Sequence, residues 1–582
     1  MQGEYGSPAG AAEPAGGRAA AHRFNPWVVM LVLSLGMFMT LLDLTIVNIA
    51  IPRIVDGVHA SLDEVLWMLN AYSLGYAVLL ITSGRLGDIV GPRRLFMGGI
   101  ALFTAASALS GLAPTAGLLI VGRALQGVGA ALLAPQSMAI LLAIFPPERR
   151  GPVFGVFGML SGLAVVAGPT LGGLLVTDLS WRWIFFVNLP IGVGVLLAAG
   201  RLVPDLRPGR LHRLDLAGVA LLTAAIFCIV YGLIEGQRYD WGTITEPISI
   251  PLIIAVGVVL LGTFLVHQAR RQGGEPLLTF ALFRDRNFTL MAVVLSAMSF
   301  FILGIYLPLT IYYQSVLGLS AIAAGLVVAV QPGAMFLSTG LANGPATKRL
   351  GANRVLTAGL VLLAAGAAFI AWDVQADSSR WSVVPGLVVG GLGMGCIWGP
   401  AFQLATRNLR VALAGVASGT LSTVQEMGAV IASAAVGALL QNRLATSLHA
   451  QAVAAAAHLP AQFAPHFVAG FSGAASSGLQ IGAGQSGAAI TIPVGTPPSL
   501  AATLTSLAHS VFTRGFVSAM KPTMLLPIGV LLLAAIASLF ARGRSRGDSA
   551  ELTESVTNTE TEAVAAGTPA APQPLIRQGE PV

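Results

Sequence analysis

Apolar residues run along this chain in blocks of about 20, separated by short polar segments, and a block of that length spans a bilayer as an α-helix. Fourteen such blocks are predicted as spans, near 27–51, 63–83, 95–113, 116–144, 152–176, 183–202 and 215–235, then 248–267, 288–312, 320–342, 354–372, 382–402, 414–440 and 517–541. The polar breaks are tight, and one of them is dense. Gly84–Phe96, GRLGDIVGPRRLF, gathers arginine, aspartate and glycine between the second and third blocks. A charged, glycine-punctuated joint of this kind suits a part that moves or locks. A longer segment, Gln441–Phe516, is rich in Gly, Ser and Ala and broken by prolines, and it reads as a flexible loop with at best an interfacial helix over Ser499–Phe512.

Composition agrees with the blocks. Of 582 residues, 55% are hydrophobic and 10% charged, and the mean hydropathy is +0.79. Soluble domains carry roughly 25% charged residues, so a water-exposed surface of this size is excluded. The net charge of +7 would suit nucleic acid in another setting, but here its arginines cluster in the short joints. With the N-terminus placed in the cytoplasm, cytoplasmic segments hold 24 of the 32 Lys and Arg residues, external segments hold 7, and Arg123 lies within a span. The bias follows the positive-inside rule and predicts both termini in the cytoplasm. Two cysteines inside apolar runs, Cys228 and Cys396, offer neither a disulfide framework nor metal-ligand spacing. No GxxxxGK[ST] or HExxH pattern occurs, which argues against ATP-driven pumping and against a membrane enzyme.

The chain repeats itself. Gly84, Gly91 and Arg94 recur at an offset of 260 as Gly344, Gly351 and Arg354, again between the second and third spans of a half. Spans 1–6 and 9–14 therefore form two parallel halves with spans 7 and 8 inserted. Repeated halves around a central path are a design of secondary transporters, whose site lies near the midplane.

Charged residues at bilayer depth cost about 3 kcal/mol on insertion scales, and each needs a reason. Asp43, Arg123 and Glu426 stand out. Asp43 lies ~24 Å and Glu426 ~18 Å along their spans at ~1.5 Å per residue. An acid that is desolvated yet reachable can be protonated facing one side and deprotonated facing the other, so these three are the candidates for proton coupling. The alternative is a permanently protonated acid bound to a neighbouring helix. The fifth span, with Gly162, Gly168, Pro169, Gly172 and Gly173, combines close helix approach with a bend.

These segments resemble a known family. GRLGDIVGPRR is similar to the loop motif of the major facilitator superfamily, and LDLTIVNIAIP (Leu42–Pro52) to the first-helix motif of its drug:proton antiporters. RALQGVGAALLAP resembles the fourth-helix proton-coupling motif, and SGLAVVAGPTLGG the fifth-helix antiporter motif. WRWIFFVNLPIG (Trp181–Gly192) and AGVASGTLSTVQEMG resemble signatures of the fourteen-span, EmrB/QacA-like branch. The resemblance implies an all-α integral membrane fold of two six-helix bundles plus two central helices. It implies proton-driven export of drugs or other amphipathic molecules, with a conformational latch at Gly84, Asp88, Gly91, Arg93 and Arg94, in which Asp88 and Arg94 form a charge relay. Arg123 would support proton coupling, and Gly168 and Pro169 the antiporter contact. Three positions depart from the pattern: Gln425-Glu426 stands for an Arg-Gln-like pair, Lys348 stands where the first half has Asp88, and Gln331-Pro332-Gly333 carries no acid.

The expected plan is a cytoplasmic segment 1–25, a bundle 26–202, an inserted pair with linkers 203–286, a second bundle 287–541 including the external loop 441–516, and a disordered tail 542–582. The expected setting is a bacterial cytoplasmic membrane, with no cofactor beyond the proton gradient and no nucleic acid. Its partners would be a small-molecule substrate, protons, the lipid bilayer and, where the cell has an outer membrane, a periplasmic adaptor. A dedicated exporter of one metabolite or antibiotic, a solute importer and a non-transporting receptor are the competing readings.

Overall fold

In the computed structural model, residues 25–60, 62–206, 214–236, 238–273, 276–409, 413–457, 459, 463–476 and 498–541 are described. The expected segment 1–25 lies almost wholly outside these residues, and the tail 542–582 wholly so. In chain order the helices are α1 (Pro26–Val58), α2 (Leu62–Val90), α3 (Pro92–Leu112), α4 (Ala116–Ile144), α5 (Pro147–Asp178), α6 (Trp183–Phe186) and α7 (Asn188–Leu202). Then come α8 (Leu216–Glu235), α9 (Ile250–Arg270), α10 (Ala281–Arg284), α11 (Arg286–Ile311), α12 (Ala321–Val328), α13 (Val330–Leu341) and α14 (Thr347–Leu350). The last are α15 (Ala352–Asp373), α16 (Val384–Gly395), α17 (Trp398–Ala405), α18 (Ala414–Ala456), α19 (Ala464–Ser476) and α20 (Pro498–Leu539). A two-stranded hairpin, Thr243–Thr245 with Ile248–Ser249, joins α8 to α9.

The polar letters between apolar runs are the helix starts. Side chains of Asn25, Thr115, Asp215, Ser249, Asp285 and Ser320 accept the orphan N–H groups of α1, α4, α8, α9, α11 and α12. Gly91 and Gly351 start α3 and α15 with φ of 101° and 86°, so the repeated glycines occupy a backbone region that L side chains avoid.

Among the described residues, thirteen helices are long and apolar enough to cross a membrane, and they coincide with thirteen of the fourteen expected spans. The remaining expected span, 152–176, falls on the 32-residue α5. Helices α1–α7 pack among themselves, as do α11–α20. The two sets meet along two seams, α2 and α4 against α18, and α5 against α12, α13 and α17. The α8–α9 pair covers the first seam: Leu222, Ile226 and Val230 of α8 and Phe264 of α9 pack with Leu74, Val78 and Ile81 of α2 and Val430 of α18. The outer face of α9 presents Val258 and Val259, as a lipid-facing helix does.

The reading of 441–516 as a flexible loop is corrected over its described residues. Helix α18 runs for 43 residues, ~64 Å at ~1.5 Å per residue, against a hydrocarbon core of ~30 Å. It starts beside Gly84 of α2, so its surplus projects from the opposite end of the bundle. There Leu440, Leu444, Leu448, Ala452 and Ala456 form a buried stripe packed with Phe467 and Phe471 of α19 and Phe512 and Phe516 of α20. Ser499–Phe512 is the start of α20 rather than a separate interfacial helix. The four-residue spacing and the alanine content favour a helix, while low charge gives the same letters the look of a loop. Residues 477–497 lie outside the described residues.

Candidate functional site

The first and fourth helices bring their costly charges together. Asp43 and Arg123 form an ion pair with both side chains almost fully buried. The other Asp43 oxygen, Oδ1, accepts from Gln126 Nε2 at 2.9 Å and from Asn188 Nδ2 at 2.8 Å. Gln126 Oε1 accepts from Arg123 at 3.0 Å, and Arg123 Nε donates to the Met68 carbonyl at 3.3 Å. Ser107 Oγ accepts from Gln126 and Asn188 at 3.2 and 3.0 Å and donates to the Phe185 carbonyl at 2.9 Å. The guanidinium also lies 4.5 Å from the ring centroid of Tyr72, whose hydroxyl donates to the Thr40 carbonyl. Helices α1, α2, α3, α4, α6 and α7 all contribute, and among the described residues of α11–α20 none hydrogen-bonds into this network. A buried charge costs several kcal/mol unless its lone pairs and protons are used; here the Asp43 carboxylate holds three donors. It is a tied acid.

Gln126 sits one turn from Arg123 on the same helix, within a quoted motif. Asn188 and Ser107 were not singled out in the sequence. The WRWIFFVNLPIG segment becomes intelligible residue by residue. Trp181 packs against Gly57 of α1, Arg182 donates to the Gly111 and Ala113 carbonyls at the end of α3, and Asn188 enters the network.

Glu426 is placed differently. It lies on α18, half-buried, three residues past Thr423 and beside Met427 and Val430 of the covered seam. On α2, Tyr72 and Tyr76 stack with ring centroids 6.3 Å apart. Among the described residues no side chain hydrogen-bonds or ion-pairs with Glu426. The adjacent Gln425 buries an Nε2 without a hydrogen-bond partner. Glu426 is an open acid.

The residues expected to form a latch occupy the end of the bundle where α2 meets α18. A Cβ on Gly84 would lie 2.6 Å from the Gly415 carbonyl, so only glycine permits this approach. Asp88 rests on the first turn of α18, its Oδ1 2.0 Å from where a Gly415 Cβ would be. A carboxylate there is favoured by the positive end of the helix dipole. Arg93 donates to the Gly200 carbonyl at the end of α7. Arg94 is exposed, with no polar partner among the described residues, so the structure does not show the Asp88–Arg94 relay. In α5, Gly168 abuts Thr45 of α1, where a Cβ would meet Thr45 Oγ1 at 2.0 Å. Gly172 and Gly173 are buried on the same helix. Gly162 and Pro169 lie on α5 with their side-chain surroundings outside the described residues.

Away from these sites, Asp215 at the start of α8 accepts from Gly218 N–H, Gln268, Arg271 and His267. Burial pushes its carboxyl up, but the hydrogen bonds outweigh it and hold the group below its ordinary value. This node pins α9 to α8.

Residues 33–433 match the Major Facilitator Superfamily. The tetracenomycin C resistance and export protein of Streptomyces glaucescens is 32% identical over 529 residues, covering 90% of this chain and 93% of that one. The puromycin resistance protein of Streptomyces alboniger is 34% identical over 433 residues, covering 72% and 82%. An uncharacterized MFS-type transporter of Mycobacterium tuberculosis is 37% identical over 440 residues, covering 74% and 73%. The crystal structure of the human organic anion transporter TETRAN superposes with a TM-score of 0.51 at 13% identity, covering 87% of this chain and 99% of that one, a likeness of fold.

Proposed function

The chain belongs to the Major Facilitator Superfamily, and on that premise we propose that it is a proton-coupled antiporter exporting amphipathic small molecules by alternating access. As a member it is a multi-pass secondary transporter and not an enzyme. Export is supported by relatives that are resistance and export proteins for antibiotics. The observation that carries proton coupling is the division between two intramembrane acids. Asp43 is spent on Arg123, Gln126 and Asn188 and holds α1 to α4 and α7. Glu426 stands on a helix at the moving seam with its carboxyl open, so proton and substrate would compete for it, while Arg123 serves by fixing Asp43.

The proposed setting is a bacterial cytoplasmic membrane with both termini and the Gly84–Arg94 end in the cytoplasm, in line with the arginine bias. The closed α2–α18 contact at that end would then be the outward-facing arrangement. No cofactor is needed beyond the proton gradient. A periplasmic adaptor remains an expectation for a cell with an outer membrane.

Proteoliposomes carrying the full chain and an imposed pH gradient test the proposal, with puromycin and other amphipathic compounds as probes. Uptake that is driven by the gradient and stops when it collapses is expected; flux indifferent to the collapse would sink proton coupling. The narrower reading, a dedicated exporter, draws on the relative that matches 90% of this chain and is named for one antibiotic. A resistance panel with a single responsive compound would favour it.

A further inference from the structure

We infer that Arg150 is a second latch residue, working with Asp88 to hold two consecutive helices of the second bundle by their ends. Arg150 is 5% exposed and lies in the first turn of α5. Its guanidinium donates to the carbonyls of Leu142 at 3.1 Å and Phe145 at 3.4 Å, at the C-terminal end of α4. Its Nη1 crosses to the other bundle and donates to the Thr406 carbonyl at 2.8 Å. Thr406 is the C-cap of α17. One arginine therefore closes the C-termini of two helices, one from each bundle.

The signs match the dipoles. The C-terminal carbonyls of α4 and α17 carry partial negative charge and face a guanidinium; the N-terminal turn of α18 carries partial positive charge and faces the Asp88 carboxylate. α17 and α18 follow one another in the chain, so the first bundle grips both sides of the connection between them with opposite charges. Beside the Arg150 grip the contact is aromatic: Phe154 of α5 stacks on Phe402 of α17 at 4.6 Å, and Gly158 lies under Trp398. The α5–α17 contact belongs to one seam and the α2–α18 contact to the other, so the two grips sit on different seams of the same closed end.

An arginine stays charged at any working pH, so this grip is a constant that every opening must break. A lysine would keep the charge but not the fork of donors that reaches three carbonyls at once. The inference rests on the alternating-access reading. It adds that the closed end is held at two points, Asp88 on α18 and Arg150 on α17.

The test is a distance distribution across this end. On the full chain in nanodiscs with Cys228 and Cys396 replaced by alanine, spin labels at Arg201→Cys (α7) and Leu350→Cys (α14) report open and closed populations by pulsed electron resonance. Arg150→Gln is expected to lower the closed-to-open ratio roughly tenfold or more, the scale of a lost hydrogen bond to a charged group. Arg150→Lys should recover part of that shift, and Asp88→Asn combined with Arg150→Gln should lower the ratio further than either alone. If Arg150→Gln fails to fold, Arg150→Lys must still show an intermediate shift. A lower melting temperature with the wild-type distribution would make Arg150 a cap of α4 only and overturn the inference. A single population in every variant, Asp88→Asn included, would instead overturn alternating access itself.

Discussion

Asp43 and Glu426 are both carboxylic acids inside membrane helices, yet their surroundings give them opposite work. Asp43 holds three side-chain donors from α4 and α7. Glu426 holds none among the described residues and borders a seam between bundles. A satisfied charge fixes structure, and an open one is available for exchange. The comparison teaches that depth in the bilayer marks an acid as costly without saying which task offsets the cost.

The largest effect expected from breaking the comparison is at Asp43. Asp43→Asn leaves the Arg123 guanidinium buried without its counter-charge, a loss of about 3–5 kcal/mol, and should lower the melting temperature sharply in detergent as well as abolish export. Asn188→Ala removes one donor and should cost about 1–3 kcal/mol, read in the same melt. Glu426→Gln should do the reverse of Asp43→Asn: stability within about 0.5 kcal/mol of wild type, with gradient-driven flux lost. A Glu426→Gln protein as unstable as Asp43→Asn would erase the distinction.

The latch carries a second asymmetry of the repeat. Asp88 rests on α18, whereas Lys348 of the second-half loop is exposed. Asp88→Asn should slow cycling in a flux assay far more than Lys348→Asn, and equal effects would undo the asymmetry. The smallest effect is expected at the inserted pair. Asp215→Ala removes a helix cap and should cost about 1–2 kcal/mol. Because the folded state holds this carboxyl below its ordinary value, its stabilisation is complete above about pH 4 and fades as pH falls through the lower folded value. The gap in melting temperature between wild type and Asp215→Ala should therefore narrow in acid.

Much of this was legible in the sequence. Apolar blocks located the spans because the bilayer imposes a length, and Asp43 and Arg123 stood out because charge is rare there. Their pairing was not legible, since 80 residues separate them and only the packing of α1 on α4 joins them. Asn188 was hidden inside the sixth apolar block, where an uncharged amide does not stand out. Arg150 counted only towards topology, because a backbone carbonyl leaves no letter to match it. The 441–456 stripe was misread because alanine and leucine at four-residue spacing, broken downstream by proline and glycine, carry little charge to mark a helix outside the membrane.

The central claim is that the open acid, and not the tied one, carries the exchangeable proton. Dicyclohexylcarbodiimide modifies protonated carboxyls in apolar surroundings, and peptide mapping by mass spectrometry locates the adduct. On the full chain at neutral pH the adduct is predicted on Glu426 and not on Asp43. An adduct on Asp43 with Glu426 unmodified would contradict the account.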